Sequence, residues 1–358
     1  MSIMWQGMGR DLAAIAQHPA VAGIILVALA FDFVNGMHDA ANSIATVVST
    51  RVLRPFTAVV WAAWWNFAAA WFFGVYVANT VAKWVDKAYV TPEVILAGLL
   101  GAITWDLITW RVSLPTSSSH ALLGGFGGAA VACAGRWHGV VKEEKLWQTI
   151  QFIIISPLVG LVLGLAFIVA VMWLFRSQTA TKVDRYFRIA QLGSAAAYSL
   201  GHGTNDAQKT MGVIAALLYA SIWKDQQAAF QAGHAAFPFW IVLACHVAIG
   251  LGTMAGGWRI VKTMGMRITT LRPYSGACAE SAAAIALFTS ARLGIPVSTT
   301  HTITGAIVGV GSVRRLSAVR WGVARQVVWA WVLTIPMSAV MGAGAFWVIS
   351  GLHRMMGS

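Results

Sequence analysis

Two short polar strings interrupt apolar segments of this 358-residue chain, and each occurs twice. The first pair is Gly36-Met-His-Asp-Ala-Ala-Asn42 and Gly203-Thr-Asn-Asp-Ala-Gln-Lys209. The second is Arg111-Val-Ser-Leu-Pro-Thr-Ser-Ser-Ser-His120 and Arg292-Leu-Gly-Ile-Pro-Val-Ser-Thr-Thr-His301. Asp39 and Asp206 lie 167 positions apart, Pro115 and Pro296 lie 181 apart, and the order is the same in both halves. Polar residues inside apolar segments are costly, so repeating them limits the fold strongly. The simplest solution is two related units that bring their polar strings to one shared site at their interface.

Composition sets the environment. The chain is 58% hydrophobic and 10% charged, outside the range of a soluble domain of this size. Apolar runs long enough to cross about 30 Å of hydrocarbon recur along its length. The pattern is that of a polytopic α-helical membrane protein. A membrane β-barrel would alternate apolar and polar residues in segments of about 10, and no such alternation is present. The net charge of +13 belongs to loops between spans rather than to a nucleic-acid surface, and the 18 Trp residues suit interfacial belts. Three scattered cysteines imply neither a disulfide framework nor a metal cluster. The N-terminus has no basic start or cleavage site of a secretory signal.

Hydropathy predicts spans at 20–50, 55–82, 93–110, 114–134, 148–175, 188–222, 238–258, 274–291, 295–312 and 326–350. The spans at 20–50 and 188–222 exceed one straight crossing, and each carries a Gly/Asn/Asp stretch, so each is expected to be a discontinuous helix. Placing residue 51 in the cytoplasm and alternating sides leaves 15 Lys and Arg inside and nine outside, with Lys209 alone in the membrane. Both termini are then expected outside, in a multi-pass protein of the inner or plasma membrane. The partners 20–50 and 188–222 run in opposite directions, as do 114–134 and 295–312. The expected architecture is therefore two inverted-topology repeats, residues 1–175 and 188–358, joined by a cytoplasmic linker at 176–187. Broken helices and Pro-Ser/Thr helix starts meet at the membrane midplane, the geometry of alternating access. The longest polar loops, Arg136–Lys145 and Ser221–Ala236, are short. Frequent Gly and Ala permit close helix packing, which is compatible with a homodimer.

Asp39 and Asp206 are the most informative single residues. A carboxylate in the bilayer needs a partner or a cavity. The plainer reading is a capping Asp, but duplication in equivalent context favours a cation or proton site. Asn35, His38, Asn42, Asn205 and Gln208 surround the two acids, and amide oxygens are hard ligands of the kind small cations prefer. In the second pair of strings, hydroxyl residues follow a proline, as at a helix N-terminus. Free N–H groups and the positive dipole end there bind oxyanions. Two such starts facing each other would enclose a tetrahedral anion with neutral donors, which also allow it to leave. His120 and His301 close the strings as proton carriers or as backbone partners. Lys209 requires a partner, Asp206 or the bound anion, and stands as a fixed cation where the first half has Asn42. Asp32, Asp106, Arg111, Glu280 and Arg292 lie in or near spans, where mutual ion pairs are one available role.

These residues resemble the inorganic phosphate transporters of the PiT type. That family carries two copies of Gly-x-Asn-Asp-x-Ala-Asn and two Pro-x-Ser/Thr-Ser/Thr-Ser/Thr-His strings, matched here by Gly36–Asn42, Gly203–Lys209, Pro115–His120 and Pro296–His301. The resemblance implies symport of inorganic phosphate with a cation, by an elevator-like or rocking movement. It places phosphate contacts on Ser117, Ser118, Ser119, Ser298, Thr299 and Thr300. It places coupling-ion contacts on Asp39, Asn42, Asn205 and Asp206, with His38, His120, Gln208, Lys209 and His301 in support. No cofactor is implied. Two departures matter: His38 replaces the first motif's usual Asn, and Gln208-Lys209 replaces the second motif's Ala-Asn. A lysine at a sodium-ligand position repels sodium and removes an oxygen. The resemblance is therefore to the bacterial low-affinity branch, with protons as the expected coupling ion. Asp39 or Asp206 is the expected proton carrier, and a neutral divalent metal–phosphate complex is one form of the cargo. Sodium coupling and transport of another tetrahedral oxyanion, such as sulfate, are the alternatives. A membrane hydrolase using Ser, His and Asp is disfavoured, because a triad needs one constellation rather than two similar copies.

Overall fold

The computed structural model describes residues 2–72, 74–226, 237–313 and 315–356, with side chains described from residue 8. Arg314 and most of the expected loop Ser221–Ala236, residues 227–236, lie outside them. The described chain is helical throughout. A short helix, α1 (Ser2–Ala16), precedes α2 (Pro19–Ser49), α3 (Pro55–Ala68), α4 (Tyr76–Ala82), α5 (Pro92–Arg111), α6 (Ser118–Ala134) and α7 (Glu143–Leu174). The second half holds α8 (Ala180–Ser221), α9 (Phe239–Ala255), α10 (Trp258–Lys262) continued by a π-helical turn (Thr263–Arg267), α11 (Pro273–Arg292), α12 (Thr299–Ser312) and α13 (Trp321–Met356).

Prolines mark many of these starts. Pro19, Pro55, Pro92 and Pro273 occupy first-turn positions, where the missing N–H costs nothing. Among the described residues four helices, α2, α5, α7 and α13, are long and apolar enough to cross a membrane, and up to six spans result if each bent pair counts as one. The ten spans expected from hydropathy thus include interior helices that fail this criterion for physical reasons. With 17 and 14 residues, α6 and α12 reach only about 25 and 21 Å at 1.5 Å per residue. The 42-residue α8 is long enough but polar, because its second half carries a site string.

The breaks fall in different places from those expected. The Gly36–Asn42 and Gly203–Lys209 stretches lie inside continuous helices, α2 and α8. Their small and amide residues remain in the i→i−4 ladder because neighbouring helices cover them. The bends, each over 40°, lie instead between α3 and α4 and between α9 and α10, the latter at 62°. Gly256, with φ +72, allows the second bend, since a side chain there would be strained.

Packing crosses between the halves. Helix α6 lies along α13, and α12 lies along α7; α2 packs on the bent pair α9–α10, and α8 on the bent pair α3–α4. Glycines permit the closest of these approaches. A Cβ at Gly128 would collide with the Ala339 carbonyl on α13, and one at Gly309, 181 positions on, with the Leu161 carbonyl on α7. Apart from Ile168, the buried residues of α7 are small (Thr149, Ser156, Gly160, Gly164), whereas Ile154, Val162, Trp173 and Leu174 point outward. That inversion of the soluble pattern suits a helix whose outer face meets lipid.

Candidate functional site

The hydroxyl strings begin in extended backbone and end as helix starts. Ser113 (φ 63) and Gly294 (φ 66), 181 positions apart, both turn through the left-handed region. The chain then folds back identically: Leu114 N donates to Thr109 O at 2.9 Å, and Ile295 N to Ser290 O at 3.0 Å. Ser117 and Ser298 are the N-caps, accepting from His120 N at 3.3 Å and His301 N at 3.2 Å. Helices therefore start at Ser118 and Thr299, later than the expected spans at 114 and 295. The two starts meet: Thr300 Oγ1 donates to Thr116 O at 3.0 Å, and the His120 and His301 rings lie 4.9 Å apart, edge to face. His301 also stacks on Trp331 at 4.0 Å. All six string hydroxyls are buried.

The motif helices reach across to these strings. On α2, Asn42 Nδ2 donates to Thr300 Oγ1 of the second string at 2.8 Å. On α8, Lys209 Nζ donates to Ser119 Oγ of the first string. Asn42 and Lys209, like Thr300 and Ser119, are repeat equivalents, so the two bonds are one contact made twice, once neutral and once charged. Lys209 Nζ also donates to Asp206 Oδ1 at 2.5 Å and to Val297 O at 2.9 Å. Three acceptors satisfy an ammonium that is almost fully buried. Asp206 Oδ2 accepts from Thr299 Oγ1 at 3.1 Å and lies 3.1 Å from His202 Nε2. The other nitrogen of His202, Nδ1, is 3.1 Å from Asn66 Oδ1, and Asn66 Nδ2 donates to Thr253 Oγ1 at 2.9 Å.

Asp39 is held differently. His38 Nδ1 is 2.8 Å from Asp39 Oδ1, and His38 Nε2 is 3.1 Å from Thr109 Oγ1 and 3.3 Å from Thr116 Oγ1. One ligand atom each of Asp39, His202 and Asp206 lies within 4.8 Å of the others. Two carboxylates and an imidazole form a set that suits a divalent transition metal better than sodium, which prefers oxygen. The Lys209 ammonium on the second oxygen of Asp206 opposes any cation there.

Two residues expected in the site face elsewhere. Gln208 Oε1 accepts from Val77 N at 2.9 Å and Ala78 N at 3.3 Å, and its Nε2 donates to Gly74 O at 2.7 Å. It caps α4 at the bend after α3, supplying acceptors that the helix start lacks. Asn205 turns toward α11, donating to Leu287 O and Gly201 O at 3.0 Å each. Arg111 and Arg292 are exposed and pair with none of the buried acids, while Glu280 is held by Gln191 and Ser194. His202, Thr109 and Asn66 join the site from outside the repeated strings, and Thr116 joins it from within the first hydroxyl string. His202 was within reach, since it stands four residues before Asp206, on the same helix face.

A helical membrane protein whose two halves bury matching hydroxyl and carboxylate strings against each other has the construction of a secondary transporter. Comparison with known proteins gives the family. Residues 35–342 match the phosphate transporter family. A "Probable low-affinity inorganic phosphate transporter" of Rhizobium meliloti (strain 1021) is 54% identical over 91% of this chain and 95% of its own. A protein of the same name from Bacillus subtilis (strain 168) is 41% identical over 91% of this chain and 96% of its own. A solved structure titled "The sodium-dependent phosphate transporter" shares the fold, with a TM-score of 0.77 at 23% identity, over 93% of this chain and 99% of that one. The chain belongs to the phosphate transporter family; it is a transporter and not an enzyme.

Proposed function

We propose that this protein carries inorganic phosphate into the cell together with protons. Phosphate binds between the two facing helix starts, where Ser117, Ser118, Ser119, Ser298, Thr299 and Thr300 and the first-turn N–H groups supply neutral donors. The observation that carries the reading is Lys209. Its ammonium bonds Asp206, Ser119 and Val297 O at once, so a resident cation occupies the second-half position that a sodium ion would take. Because Ser119 belongs to the anion strings, the same ammonium lies within reach of bound phosphate. A neutral divalent metal–phosphate complex is a second form of cargo, supported by the convergence of Asp39, His202 and Asp206.

The crosswise packing and the matched turns at Ser113 and Gly294 support an inverted repeat, in which rocking of the halves exposes the site to each side in turn. The orientation with both termini outside rests on loop charge. The test is phosphate uptake into proteoliposomes, with proton and sodium gradients imposed separately. Uptake driven by the proton gradient alone is expected. Uptake driven by sodium alone would place Lys209 off the cation path and restore the sodium-coupled reading. Inhibition by arsenate and not by sulfate is expected of a phosphate site.

A further inference from the structure

Among the described residues five carboxylates are buried in the core: Asp32, Asp39, Asp106, Asp206 and Glu280. Three have partners. Asp39 has His38; Asp206 has Lys209, His202 and Thr299; Glu280 accepts from Gln191 Nε2 at 3.0 Å and Ser194 Oγ at 2.5 Å. Neither oxygen of Asp32 or Asp106 meets a donor in hydrogen-bonding geometry. Asp106 acts on the charge of His38, beside the site already described. Asp32 stands apart from it, seven residues before Asp39 on α2. That spacing is two turns, so Asp32 shares the face of Asp39 about 10 Å along the axis.

No group around Asp32 meets it in hydrogen-bonding geometry, and the nearby Thr210 and Asn35 side chains and the Lys209 ammonium ease its charge only in part. Its polar neighbours are Thr210 on α8, Asn35 on its own helix and the Cys245 thiol on α9. Thr210 Oγ1 and Asn35 Oδ1 also have no partner. The charged groups that act on Asp32 are Asp206 and Lys209, both on α8. Helix α9 adds only Cys245 and His246, whose Nδ1 is engaged by Val242 O at 2.8 Å, and α5 adds Asp106, whose charge acts on His38. A carboxylate so placed is far costlier as the bare anion than as the neutral acid. The matching position in the second half is Ser199, which cannot ionise.

We propose that Asp32 is the residue that binds the coupling proton. The inference rests on the proton-coupled reading above and moves the proton from Asp39 and Asp206, both already engaged, to the unpartnered carboxylate. An oxygen of Asp32 takes a proton from the outer side and, after the halves rearrange, gives it up to the inner side. While Asp32 is neutral, Lys209 faces Asp206 and the anion strings alone. Loss of the proton adds a negative charge beside Thr210, draws on the Lys209 ammonium and weakens its hold on phosphate. Release of the proton and of phosphate are thereby linked.

The full chain in liposomes tests this with two readouts: phosphate accumulation under an inward proton gradient, and exchange of internal for external phosphate at equal pH. Asp32→Asn fixes the neutral form, so accumulation is expected to be lost while exchange is kept, and Asp32→Glu is expected to restore accumulation. Infrared difference spectra of the wild type are expected to show a protonated carboxyl band that titrates and is missing in D32N. Full gradient-driven accumulation by D32N would overturn the proposal. So would loss of both readouts in D32N and D32E alike, because Asp32 would then serve the phosphate cycle or the fold itself. A wild type that responds to sodium alone would instead bring down the proton reading on which the proposal rests.

Discussion

The two halves bring the same parts to the site and charge them differently. Around Asp39 stand His38, Asn35 and Asn42; around Asp206 the corresponding residues are Asn205, His202 and Lys209. Each half thus holds one aspartate, one histidine and one asparagine within a turn of each other, with histidine and asparagine exchanged. The fourth position differs in kind. Asn42 bonds the opposite string as a neutral amide, and Lys209 makes the equivalent bond as an ammonium. One scaffold, used twice, therefore gives a charge-compensated acid in the second half. In the first half it leaves an acid that relies on a neighbouring imidazole. The lesson is that the backbone repeat sets where a contact is made, and one side chain decides whether that contact carries a charge.

Removing the asymmetry is expected to have the largest effect. Lys209→Met leaves Asp206 buried without its cation, which costs about 3–5 kcal/mol when a buried pair is broken on one side. Thermal unfolding of the purified protein should show a marked loss, and phosphate uptake should fail. The double variant Lys209→Met with Asp206→Asn should recover most of the stability. A K209M protein as stable as the wild type would mean that Lys209 is not what compensates Asp206.

The crossing bonds themselves come next. Thr300→Ala removes the acceptor of Asn42 and the donor to Thr116 O, leaving a buried amide short of a partner at about 1–3 kcal/mol. Ser119→Ala leaves Lys209 with Asp206 and Val297 O and should cost less stability. Both should raise the KM for phosphate, and equal stability losses for the two would contradict the neutral-versus-charged distinction. The smallest effect is expected at Gln208→Ala. It removes the side chain that caps α4, worth about 1 kcal/mol, as at other helix starts. Melting temperature should fall slightly while the choice of coupling ion stays unchanged; a switch of coupling ion in Q208A would place that residue back in the site.

Much of the site was legible in the chain. Duplicated strings named both helix starts proposed to bind phosphate, because Pro followed by hydroxyl residues has a local geometric meaning that holds wherever the segment lies. Lys209 was legible as a cation needing a partner, because nothing else in a membrane can stabilise it. The breaks were not legible. Glycine and amide residues in α2 and α8 signal a broken helix only if no neighbour covers them, and here Gly36 and Gly203 are small so that Ile249 and Asn66 backbone can lie against them. Gln208 was misplaced for a related reason: its side chain meets α4, and the position of α4 follows from a bend more than 100 residues earlier.

By itself the sequence determined the class of solvent, the twofold repetition, the residue types of the site and the family, since each rests on local chemistry or on patterns along the chain. Only the tertiary structure decided which half's side chain bonds which half's string, where the helices bend, and which buried acid lacks a partner. Those depend on contacts between segments far apart in sequence. Whether a buried carboxylate such as Asp32 or Asp206 keeps its charge depends on what the other helices place within a few ångströms of it.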